Sequence, residues 1–104
     1  MIRHIVLVRF QPNVSESAIS DIFAELEAVR AEITGMGPVV SGKSTSPERI
    51  ERGYMHGFSV DFESWDGLRA YQNNPSHQKS GAKIVAAAQG GIDGVLVFDL
   101  EFQT

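Results

Sequence analysis

An α+β fold, in the order strand, helix, strand, strand, helix, strand, is what this 104-residue sequence predicts. Three observations carry the prediction. Strand-like alternation occupies the two ends of the chain and residues 54–62. Helical spacing of apolar residues fills the segments between. The first and last strands also carry apolar residues on both faces. That order is the split β-α-β pattern of a ferredoxin-like domain with an antiparallel sheet.

Residues 2–10 alternate as a strand, with Ile2, His4, Val6, Val8 and Phe10 on one face and Arg3, Ile5, Leu7 and Arg9 on the other. Pro12 and Asn13 break it. Ser15 is placed to cap a helix and Glu16 suits its first turn. Ile19, Ile22, Phe23, Leu26, Val29 and Ile33 then recur at helical spacing, about five turns at 3.6 residues each. Gly35 and Gly37 end it. Residues 38–45 read as a short strand and 46–53 as a charged, solvated loop.

In 54–62, Tyr54, His56, Phe58, Val60 and Phe62 share one face. Ser64 caps a second helix containing Trp65, Leu68 and Tyr71. Pro75 suits the first turn of a third, with His77, Gly81, Ile84, Val85 and Ala88 on one side. Gly90-Gly91 ends that helix, and 92–102 form the last strand. Trp65 and the phenylalanines are assigned to the core. His4–Phe10 and His56–Phe62 share His, Val and Phe at equal offsets. This weak repeat places His4 and His56 as neighbours at the sheet centre.

Helices cover one face of such a sheet, so Ile5, Leu7 and their like on the other face need a cover. A second copy of the chain, packed sheet to sheet, is the simplest one, since closed two-fold dimers are the commonest oligomers.

Composition excludes several classes. The chain is 42% hydrophobic and 21% charged with a formal charge of -4, which lacks the basic footprint of a nucleic-acid binder. It has no cysteine, hence no disulfide framework and no thiolate chemistry, and a cytoplasmic location fits. No apolar run is long enough to span a bilayer, and the N-terminus enters a strand at once, unlike a signal peptide.

Gly37-Pro-Val-Val-Ser-Gly42-Lys43-Ser44 has P-loop spacing, and Val95-Leu-Val-Phe-Asp99 resembles the strand that would accompany it. A phosphate cradle must follow a buried strand and open a helix. This stretch follows a helix and opens none, so nucleotide binding is not predicted. There is also no nucleophile-elbow signal.

The three histidines, His4, His56 and His77, each fall on the inward face of their element and are read as converging with Tyr71. A buried neutral imidazole can accept a proton near neutral pH, and a tyrosine can donate to a developing oxyanion. The same histidines lack the helical pair spacing of a zinc hydrolase and no carboxylate is evident beside them, so neither a metal nor another cofactor is predicted. The plain alternative is that they only satisfy buried hydrogen bonds.

Four segments together resemble the stress-responsive A/B barrel (Dabb) domain family: Ile2–Phe10, Arg52-Gly-Tyr-Met-His56, Ala70-Tyr71 followed by Asn74-Pro-Ser-His77, and Val95–Leu100. The resemblance spans residues 1–104 as a single domain. It implies a dimeric α+β barrel, two ferredoxin-like subunits packed sheet to sheet, with a pocket between sheet and helices in each. It also implies a chemistry. In a plant polyketide cyclase of the family, a linear polyketide thioester is closed by an aldol condensation without a metal. There the histidine of a Pro-x-His motif acts as base and the tyrosine before it assists.

Those positions match His77 and Tyr71, which become the expected catalytic pair. His4 and His56 match further family histidines and, with Leu26, are the expected substrate-binding residues. Leu26 stands where the cyclase has a pocket-lining tyrosine, and the segment after His77 also differs, so the resemblance does not carry the substrate over. The implied function is binding of a small carbonyl-bearing molecule, with cyclase-like or lyase-like acid–base chemistry. The alternatives are a non-catalytic stress-responsive dimer and a monooxygenase-like or isomerase-like enzyme on the same barrel.

Overall fold

The computed structural model describes residues 1–104. Its elements are β1 (Ile2–Val8), α1 (Glu16–Val29), β2 (Met36–Lys43), β3 (His56–Phe62), α2 (Trp65–Asn73), α3 (Pro75–Ala87) and β4 (Val95–Glu101). The four strands form one antiparallel sheet in the order β2-β3-β1-β4. This is the ferredoxin-like α+β arrangement that the element order predicts.

The differences from the expected boundaries have local causes. β1 stops at Val8 because Arg9 and Gln11 bond instead to the turn between α3 and β4. Arg9 N–H donates to the Gly94 carbonyl at 2.8 Å, and Gln89 N–H donates to the Arg9 carbonyl at 2.7 Å. Phe10 keeps only a single bridge to Ala88. Ser15 caps α1 as predicted, its Oγ accepting from Ala18 N–H at 3.1 Å.

The helix does not run unbroken to Ile33. Residues 30–32 tighten into a 3-10 turn, Ile33 turns extended while staying buried, and the chain reverses at Gly35 with φ +81°. β2 starts two residues earlier than expected and takes in Gly37. A Cβ there would lie 3.0 Å from the Asp61 carbonyl, and this is where the β2–β3 register slips. Gly91–Gly94 forms a 3-10 turn, so β4 begins only at Val95. Trp65 and Phe98 are not core residues: Trp65 opens α2 at the surface, 40% exposed, and Phe98 lies on the sheet face that no helix covers.

The core lies between the helices and one sheet face. It joins Ile2, Val6 and Val8 of β1, Phe58, Val60 and Phe62 of β3, and Ile19, Phe23, Leu26 and Val29 of α1. The opposite face carries Ile5 and Leu7 of β1 with Leu96, Phe98 and Leu100 of β4, the last three 41%, 55% and 44% exposed. No helix of this chain covers that face. Arg3 and Asp61 lie on it as a two-point ion pair at 2.9 and 3.0 Å.

Register corrects the inference drawn from the repeat. β1 and β3 run antiparallel, with His4 opposite Val60 and Val8 opposite His56. Equal offsets along antiparallel strands diverge in space. His4 and His56 therefore share a face but sit four rungs apart, with His56 at the end of the ladder.

Candidate functional site: a histidine-bearing cavity beneath the helices

The site begins with the break between α2 and α3. Asn74 precedes Pro75 and is held extended at φ -72°, ψ 128°, as a residue before proline tends to be. Its side-chain oxygen accepts from His77 N–H at 3.0 Å, capping α3 and placing His77 in the first turn. The break folds that turn back over the end of α2. The Tyr71 and His77 rings stack with centroids 3.9 Å apart and planes 37° apart.

His77 borders a cavity of about 290 Å³ between sheet and helices. The wall is mainly apolar: Leu26 of α1, Ile84 and Val85 of α3, Phe58 of β3, Val6 of β1, and Val95 and Val97 of β4. His4, His77 and Gln72 supply its polar side chains, and no lysine, arginine or carboxylate lines it. Such a size is at the small end of ligand pockets, about 300–1,000 Å³. A second hollow, about 330 Å³ and more open, lies on the uncovered sheet face around Ile5, Leu7 and Val40.

Electrostatics separate the titratable groups here. Burial lowers the His77 pKa from its ordinary value, and the neighbouring His4 lowers it further, with the Gln72 backbone opposing. The N-terminal end of α3 also disfavours a cation at this position. Burial pushes the Tyr71 phenol well above its usual range, so it stays protonated. Both residues carry an orphan: the Tyr71 hydroxyl and His77 Nδ1 are buried without a hydrogen-bond partner.

His4 is buried at 5% exposure, and its ring meets Phe62 and Tyr71 edge-on with centroids 6.4 and 5.8 Å away. Its Nδ1 lies 2.6 Å from Asp99 Oδ1. The pair arises from the ladder, because His4 and Asp99 are directly opposed on β1 and β4.

Of the residues singled out in the sequence, His4, His77 and Leu26 line the cavity. Tyr71 stands behind the His77 ring without lining it. His56 does not join them. It lies beside Phe10, ring centroids 5.5 Å apart, with Nε2 2.9 Å from Glu16 Oε2 at the start of α1. The expected absence of carboxylates beside the histidines is likewise overturned, by Asp99 at His4 and Glu16 at His56. No three His, Asp or Glu side chains come together as a metal-ligand set. Asp99 went unnoticed as a site residue although a signal existed. It shares parity with Val95 and Val97, which places all three on the helix-facing side of β4.

Fold and cavity define a class: a ferredoxin-like domain with one uncovered apolar sheet face and a small histidine-bearing cavity under its helices. The model of the Stress responsive A/B Barrel Domain matches residues 2–102, and the chain belongs to that family. It is 26% identical over 98 residues to a stress-response A/B barrel domain-containing protein of Arabidopsis thaliana, covering 93% of this chain and 82% of that one. It is 26% identical over 76 residues to olivetolic acid cyclase of Cannabis sativa, covering 73% and 75%. Among solved structures, a dimeric ferredoxin-like protein of unknown function from Jannaschia sp. superposes with a TM-score of 0.90 at 30% identity, covering 97% of this chain and 98% of that one.

Proposed function

We propose that this chain is one subunit of a homodimer, and that each subunit binds a small uncharged organic molecule bearing a carbonyl in the cavity beneath the helices. The observation that carries the ligand reading is the wall itself, apolar except for two imidazoles and one amide, with no fixed cation. A free carboxylate would lose its hydration there without a partner charge, whereas an aldehyde, ketone or thioester would not. The kinship with a protein named as a cyclase points the same way.

In this reading Leu26, Ile84 and Val97 hold the apolar body of the ligand, and His4 and His77 meet its polar end. His77, kept neutral, can accept a hydrogen bond or a proton. Tyr71, fully buried behind the His77 ring, backs that imidazole with a protonated hydroxyl that has no protein partner. The dimer reading is supported by the uncovered row of Leu96, Phe98 and Leu100 and by the dimeric Jannaschia relative.

The ligand reading is tested by titrating 15N-labelled protein with acetophenone and, separately, with benzoate. Acetophenone is expected to move the amide signals of Gly81, Ile84 and Val97, with benzoate much weaker, and Leu26→Trp to abolish the response. Equal binding of benzoate, or no movement at these residues, would overturn it.

A further inference from the structure

We infer that His4, oriented by Asp99, is the proton-accepting side chain of this cavity, and that Asp99 is a positioning residue acting through it. The inference rests on the cavity reading above. It moves the base role that the family resemblance gives to His77 onto a different histidine.

An ionised carboxylate only accepts, so the 2.6 Å contact with Asp99 Oδ1 puts the imidazole hydrogen on Nδ1. The lone pair is then on Nε2, which makes no hydrogen bond to the protein. His4 lines the cavity, so a ligand there meets an acceptor and not a donor. When Nε2 takes a proton, the Asp99 carboxylate faces the resulting imidazolium, as in other carboxylate–imidazole pairs.

His77 lacks the second advantage. Its Nδ1 is buried without a hydrogen-bond partner, its ring bonds only to the Gln72 backbone, and no carboxylate stands beside it to balance a positive ring. The titratable groups around His4 are Asp99 from β4, Tyr71 from α2 and His77 from α3. β3 presents only Phe58, Val60 and Phe62. One anionic partner therefore serves this pair of histidines, and it is bonded to His4.

The step is a simple proton transfer. A carbon acid beside a carbonyl gives its proton to His4 Nε2. The electron pair of the broken C–H bond moves into the carbonyl to form an enolate, and the proton can later return from His4 to carbon or oxygen. Nothing is oxidised and no further reactant is needed.

The test uses 5-nitrobenzisoxazole, a small uncharged carbon acid. A base removes its ring C–H proton, the N–O bond breaks, and a coloured phenoxide nitrile forms. The wild-type protein is expected to accelerate this elimination in a saturable way. His4→Gln should abolish the acceleration. Asp99→Asn should lower it by about tenfold or more and move the acid limb of its pH profile. Should His4→Gln fail to fold, Asp99→Asn, whose side chain is 25% exposed in the native protein, decides alone.

An Asp99→Asn protein with unchanged rate and pH profile would overturn the inference. So would a wild-type protein that binds the probe without accelerating its reaction. If the probe does not bind, the cavity reading is what has failed. The dyad is then judged by 15N shifts of the histidine rings. A single Nδ1–H tautomer at His4, lost in Asp99→Asn, supports it, and a mixture of tautomers in the wild type overturns it.

Discussion

The Tyr71 and His77 rings stack 3.9 Å apart across the break between α2 and α3, and each carries a buried polar atom without a partner. Leaving a hydroxyl or ring nitrogen unpaired costs about 1–3 kcal/mol. Of the two residues, His77 borders the cavity and Tyr71 is fully buried behind it.

Removing the Tyr71 hydroxyl should therefore not harm the fold. Tyr71→Phe keeps the ring and its packing against His4, Phe62 and His77. Its unfolding free energy in urea is expected to equal the wild-type value or exceed it by up to about 1 kcal/mol. A loss of 2 kcal/mol or more would mean that the hydroxyl has a partner in the folded protein.

Protonation of His77 should oppose folding. Its pKa in the folded chain lies below the ordinary imidazole value of 6.5, so the unfolded chain binds more protons in between. The corresponding stability is fully present above the unfolded value and is lost as pH falls through the folded one. Glu25, Glu51 and Asp61 are also shifted down, but they titrate from 4.5 or 3.8 downwards. Urea unfolding at pH 7.5 and 5.5 should thus show a larger loss for the wild type than for His77→Gln, and equal losses would contradict the shift.

The Asn74 cap should matter both for α3 and for the site. Asn74→Ala removes the bond to His77 N–H and is expected to cost about 1 kcal/mol in urea. The His77 ring signals should shift and broaden as the first turn of α3 frays. A variant with wild-type stability and an unchanged His77 spectrum would show that Pro75 alone sets the break.

The uncovered sheet face should govern assembly. Sedimentation of the wild type at micromolar concentration is expected to give particles of twice the 11.4 kDa chain mass. Phe98→Asp places a charge in the middle of the exposed β4 row and should give single chains with intact secondary structure. A wild type that sediments as one chain, or a Phe98→Asp protein that still pairs, would remove this face from the interface.

Much of the architecture was legible in the residues because it depends on short-range periodicity. Alternation in β1 and β3, the spacing from Ile19 to Val29, the cap Ser15 and the helix-opening Pro75 are local signals, and the structure uses each of them, whereas Ser64 precedes α2 without a capping side-chain bond. The boundary errors fall where tertiary contacts override propensity, as at Arg9, which bonds to the turn before β4, and at Ile33, which extends to stay buried.

The site divides along the same line. Periodicity by itself determined that His4, His56 and His77 face inward, because which side of a strand or helix a residue occupies follows from its own neighbours. Which of them meet was decided only by the tertiary structure. Antiparallel pairing sends His56 to the far end of the ladder and to Glu16. Register sets Asp99 beside His4 across 95 residues of sequence, and the helix break lays His77 on Tyr71. Strand register and helix packing are properties of pairs of distant segments, so no single segment carries them.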